Sequence, residues 1–131
     1  MNVQDKLYSF SNALARLKEA AEELHKNDCS DVIRDGMIQR FEFTYELAWK
    51  TTKAYLEDLG IVGINSPKAV IKEAFAQNII KNEETWLLMI KDRNLTTHVY
   101  KEALAKEIAT RITAQYIKEF EELLNIISLE F

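Results

Sequence analysis

One cysteine, one proline and three glycines in 131 residues leave this chain without covalent staples and with few places to turn. The lone Cys29 excludes an intrachain disulfide framework and suits a reducing compartment, so a cytoplasmic protein is expected. So few helix breakers mean long elements, which favours helices over a many-stranded sheet. No apolar run approaches the roughly eighteen residues of a membrane span. The opening residues, Met1 to Lys6, lack the apolar centre of a secretory signal. No membrane association is therefore expected. Zinc-ligand spacings, a glycine-rich phosphate loop and a serine-nucleophile motif are all missing, so neither a metal nor a cofactor is expected. Basic charge is scarce too: the formal net charge is −4 and the pI near 5.3. That argues against a protein that coats nucleic acid through a broad basic face, but not against a small site for one phosphate.

What is present reads as one globular helical domain spanning residues 1–131. Val3, Leu7, Phe10, Leu14, Leu17, Ala21 and Leu24 recur at alternating steps of four and three, the seam of a long first helix ending near Asn27 and Asp28. A second helix is expected from about Asp31 to Leu59, antiparallel to the first, with Gly60 as a left-handed C-terminal cap. Its stretch from Phe41 to Lys50 is apolar around more than one face, so it should touch two neighbours or a second subunit. Ser66-Pro67 reads as an N-cap and first-turn proline for a short helix closed by Asn78. Asn82, followed by Glu83 and Glu84, reads as the cap and acidic first turn of a fourth helix. The last helix is expected from about Thr97 to Ile127, with Leu104, Ile108, Ile112, Tyr116, Phe120 and Leu124 on its apolar face. The expected fold is all-α, an up-and-down four-helix bundle with one or two additional short helices. Trp49 and Trp86 fall in apolar patterns and are expected in its core.

One stretch breaks the packing rules. Lys91-Asp92-Arg93-Asn94-Leu95-Thr96-Thr97-His98-Val99-Tyr100 gathers polar and titratable side chains within an apolar pattern. It lies in the part of the chain, residues 61–118, whose charge is net positive inside an acidic protein. His98 can take and give protons near neutral pH. Arg93 offers a fork of donors suited to phosphate oxygens. Together they suffice for metal-independent RNA cleavage, in which a base takes the 2′-hydroxyl proton and arginine stabilises the charge that develops at phosphorus. Geometry sets a condition. On one unbroken helix the two residues lie about 140° apart, at about 100° per residue. Either the helix breaks between Asn94 and Thr97, with Thr96 or Thr97 capping the next helix, or two subunits face each other across a twofold axis. The structural alternative pairs Arg93 with Asp92 or Glu84 and leaves His98 bonding a carbonyl. Glu42, Glu46 and Lys50 read as helix-face contacts four residues apart.

Arg93, His98 and Tyr100 in that spacing, together with Phe41 to Lys50, Tyr55-Leu56, Ser66-Pro67, Ala74-Phe75, Ile80 and Trp86-Leu87, resemble the nucleotidyltransferase substrate-binding protein family, a branch of the HEPN superfamily. The resemblance spans nearly the whole chain. It implies a homodimeric bundle that partners a minimal nucleotidyltransferase, as in HEPN–MNT toxin–antitoxin pairs. It implies Arg93 and His98 as the catalytic pair of an endoribonuclease, Asp92 and Asn94 as supports, and Tyr100 as an adenylylation site through which the partner silences the cleft. RNA is the expected substrate. The alternative is a non-catalytic subunit that binds a nucleotide or substrate for that partner.

Overall fold

The computed structural model describes residues 2–131, and the chain is all-α. Helices α1 (Val3–Lys26) and α2 (Asp31–Asp58) form an antiparallel hairpin in contact along its length. The short α3 (Pro67–Ala76) and α4 (Glu83–Leu95) follow. A 3₁₀ turn over Thr96–His98 leads to α5 (Glu102–Arg111). A π-helical turn, Ile112–Tyr116, joins α5 to α6 (Ile117–Ser128) in one continuous rod. Four principal elements, α1, α2, α4 and the α5–α6 rod, make the bundle, with α3 and the 3₁₀ turn as the additional short pieces.

The boundaries have local causes. Asn2, Ser30 and Ser66 each accept the backbone N–H three residues on, closing the N-termini of α1, α2 and α3. After α2, Gly60 is left-handed at φ +91°, and Ile61 N–H reaches the Leu56 carbonyl at 2.9 Å. Asn78 ends α3 the same way at φ +60°, with Ile79 N–H on the Ala74 carbonyl at 2.9 Å. Asn82 stands at the start of α4 as expected, but its side chain makes no cap. Its amide donates instead to Glu119 on α6 at 2.9 Å, tying two long elements together.

The core is an aromatic cluster lined by the seam of α1. Phe120 meets Phe10 and Trp86 edge-on, and Phe41 stacks on Tyr116 with centroids 5.5 Å apart. Trp86 is buried as expected, whereas Trp49 is only half-buried at the edge of the core. The buried positions Ile108, Ile112, Tyr116 and Phe120 advance by steps of four. In a regular helix each such step drifts about 40°. The wide turn between Ile112 and Ile117 absorbs that drift, because Ile117 N–H bonds the Ile112 carbonyl five residues back. The Thr113 hydroxyl donates to the Ala109 and Thr110 carbonyls.

The last helix begins at Glu102, not Thr97. The reason lies in Thr96, whose hydroxyl donates to the Arg93 carbonyl at 2.7 Å and so closes α4 rather than capping α5. The chain then needs the 3₁₀ turn and Val99–Lys101 before a helix can restart, and no side chain caps α5.

Candidate functional site

The chemistry-bearing stretch sits where α4 ends. Arg93 is in the last turn of α4 and its side chain is 28% exposed. Its Nη1 donates to the Thr96 hydroxyl at 3.0 Å and pairs with Glu42 Oε2 at 3.2 Å. Glu46 stands 4.0 Å from Nε, beyond hydrogen-bond reach, and that buried Nε has no partner among the described residues. The acids are one turn apart on α2, so they meet the same guanidinium. Neither Asp92 nor Glu84, the partners expected if Arg93 were only structural, holds it. Glu46 also accepts from the Trp49 indole at 3.3 Å and pairs with Lys50 at 3.6 Å. Burial, reinforced by the Glu46 charge and opposed by Arg93, pushes the Tyr45 hydroxyl up to about 12.

Thr96 grips Arg93 from both ends, accepting from its guanidinium and donating to its carbonyl. Of the two arrangements the spacing allows, a helix break is present within the protomer, and it has a specific cause. It releases His98 from the azimuth that a straight helix would impose. His98 is exposed at the end of the 3₁₀ turn, and its carbonyl accepts from Lys101 N–H at 3.0 Å. Tyr100 is 77% exposed, its ring edge-on to the imidazole with centroids 6.1 Å apart. Asn94 is exposed and lines a groove together with Lys68 of α3.

Asp92 behaves differently from its neighbours. Only 1% exposed, it accepts Arg111 Nε at 2.6 Å and Nη2 at 2.8 Å, and the Tyr116 hydroxyl donates to it as well. It bonds the α5–α6 rod and not Arg93 or His98. The bidentate bond to Asp92 raises Arg111 above its ordinary value. Burial, then the bond to Asp92, raises Tyr116. Arg111 precedes the π-helical turn and Tyr116 ends it, and both reach the same carboxylate. Sequence reasoning missed this triad and the Thr96 clasp. Asp92 lies 19 residues from Arg111 and 24 from Tyr116, beyond any local pattern.

No helix among the described residues is long and apolar enough to cross a membrane. Among those residues no trio of His, Cys, Asp or Glu gathers as metal ligands.

Residues 5–128 match the family described as nucleotidyltransferase substrate binding protein like. The chain belongs to this family. A relative from Haemophilus influenzae, named probable ribonuclease HepT, is 31% identical over 86 residues, covering 63% of this chain and 59% of that protein. The aligned part is thus less than two thirds of the relative's length. A solved Haemophilus influenzae structure, described as revealing the fold of a substrate binding domain of a nucleotidyltransferase, is 25% identical with a TM-score of 0.84, over 93% of this chain and 98% of that one. A tri-AMPylated Shewanella oneidensis HEPN toxin, solved in complex with its MNT antitoxin, shares the fold at 16% identity and a TM-score of 0.79, over 98% of this chain and 99% of that one.

Proposed function

We propose that this protein is a HEPN-type toxin partnered by a minimal nucleotidyltransferase, and that it cleaves RNA without a metal. One observation carries the reading. The clasped end of α4 leaves an exposed imidazole, five residues on in sequence from a guanidinium whose orientation Glu42 and Thr96 set. His98 takes the 2′-hydroxyl proton, the 2′-oxygen attacks the adjacent phosphorus, and the bond to the 5′-oxygen breaks. The leaving oxygen takes up a proton, and the products are a 2′,3′-cyclic phosphate and a 5′-hydroxyl. Arg93 stabilises the charge that builds on the phosphoryl oxygens. Asn94 and the Asp92 triad support the pair, the triad by fixing α4 against the α5–α6 rod. A homodimer brings two copies of the stretch into one cleft.

The relative named for ribonuclease activity supports this reading, as does the structural neighbour solved with its antitoxin. Tyr100 is the control point. Its hydroxyl attacks the α-phosphorus of ATP on the partner enzyme, pyrophosphate leaves, and the AMP adds charge and bulk beside His98. Incubating the purified protein with labelled RNA in EDTA tests the proposal, with His98→Ala and Arg93→Ala as controls. Cleavage by the wild type alone supports it.

A second reading draws on the acids around Arg93. Glu42 and Glu46 offset its charge within the protomer, as suits a subunit that binds a nucleotide or substrate for its partner without cutting RNA. Tight binding to the nucleotidyltransferase with no RNA cleavage would favour it.

A further inference from the structure

Next to the candidate stretch, α4 and Lys68 of α3 line an open groove of about 370 Å³. Leu87, Ile90 and Leu95 give it an apolar lining, with Lys68, Lys91 and Asn94 as its polar members, and Asn94 directly follows Arg93 in the chain. On α3, Lys68, Lys72 and Phe75 follow at steps of four and three, so they share one face. All three are exposed, Phe75 by 44%. On α4, Leu87, Lys91 and Asn94 share a face in the same way. Among the described residues neither Lys68 nor Lys91 pairs with a carboxylate, so both charges are available to a ligand. In a chain with a net charge of −4, the groove thus carries two lysines and no carboxylate.

We propose that this groove is the track along which a single-stranded RNA enters the site. The inference rests on the ribonuclease reading and adds to it where the flanking nucleotides lie. Lys68 and Lys91 take backbone phosphates, and the aliphatic lining of Leu87, Ile90 and Leu95 receives a base face, while Lys72 and Phe75 extend the same face of α3 beyond the groove. Asn94 then offers its amide to the nucleotide next to the scissile phosphate, one residue from Arg93. Charge favours a polyanion over an acidic protein segment. Alternating phosphates and flat apolar bases fit a groove that combines two lysines with an apolar lining, and its volume suits one nucleotide.

The test uses fluorescence anisotropy with a labelled single-stranded RNA of about twelve nucleotides. The RNA is titrated into the full chain carrying His98→Ala, which keeps it intact. Adding Lys68→Glu and Lys91→Glu should raise the dissociation constant about tenfold or more and flatten the log–log salt slope by about 1.4, at about 0.7 per lost contact. The same charge change made with Lys6→Glu and Lys118→Glu should leave both near the parent values. Lys68 and Lys91 are exposed, so unchanged thermal midpoints will separate lost binding from lost folding. Unchanged RNA affinity in the groove variant overturns the inference, as does a loss confined to binding the nucleotidyltransferase. The two claims fail separately. If the wild type cuts RNA whatever stands at positions 68 and 91, only the groove falls. If RNA binds through these lysines but is never cut, only the ribonuclease reading falls.

Discussion

Replacing Arg111 with methionine removes the charge that faces Asp92 while keeping most of the side-chain length. Asp92 is 1% exposed and would retain only the Tyr116 hydroxyl. Stranding one member of a buried ion pair costs about 3–5 kcal/mol, and the lower end applies because the Arg111 side chain is 26% exposed. For 131 residues the unfolding entropy is about 275 cal/mol/K, from about 2.1 per residue, so about 3 kcal/mol lowers the midpoint by about 11 °C. Asp92→Asn alone should cost about 2 kcal/mol, since Arg111 can turn toward water. The double variant should also lose only about 2–3 kcal/mol, because neither charge is left alone. Chemical denaturation of the four proteins then gives a coupling of about 2–3 kcal/mol. A loss below about 1 kcal/mol for Arg111→Met, or losses that add to within about 0.5 kcal/mol, would refute the claim that this triad anchors α4.

Other outcomes follow from the same geometry. Tyr45 titrates in the folded state at about 12 against an ordinary 10, so its contribution is complete below pH 10 and is lost as pH rises toward 12. Denaturation series at pH 9 to 12 should therefore show a shallower alkaline decline in Tyr45→Phe than in the wild type. Asn78 is left-handed, so Asn78→Gly should be neutral or stabilising, while Asn78→Val should cost about 1–2 kcal/mol by thermal melting. Glu42→Gln should shift stability by less than about 1 kcal/mol. It should nonetheless lower the kcat of RNA cleavage about tenfold by loosening Arg93, an effect that steady-state kinetics with intact RNA can separate from KM.

Elements governed by neighbours in sequence were legible in advance. Ser66-Pro67, Gly60 and Asn78 shape the backbone within a few residues of themselves, and each sits where its chemistry requires. The long seams of α1 and α2 follow from period alone. The spacing from Arg93 to His98 allowed a break or a site shared between subunits, and the cause of the break could not be read, because a threonine that could cap the next helix can equally close the previous one. The π-helical turn escaped notice because steps of four from Ile108 to Phe120 look like an ordinary apolar face. The partners of Arg93 and Asp92 lie on other helices, and only packing brings them together. Trp49 looked like core because its helix is apolar on several faces, yet its indole sits at the rim bonded to Glu46.

Under the ribonuclease reading, Arg93 and His98 cut RNA without a metal. The most direct test of that reading is end-group analysis of labelled RNA incubated in EDTA with wild-type protein, His98→Ala and Arg93→Ala. The account predicts 2′,3′-cyclic phosphate ends from the wild type alone, with the His98→Ala midpoint within about 2 °C of the wild type because that side chain is exposed. Undiminished cleavage by His98→Ala, or no cleavage by a folded wild type, would contradict it.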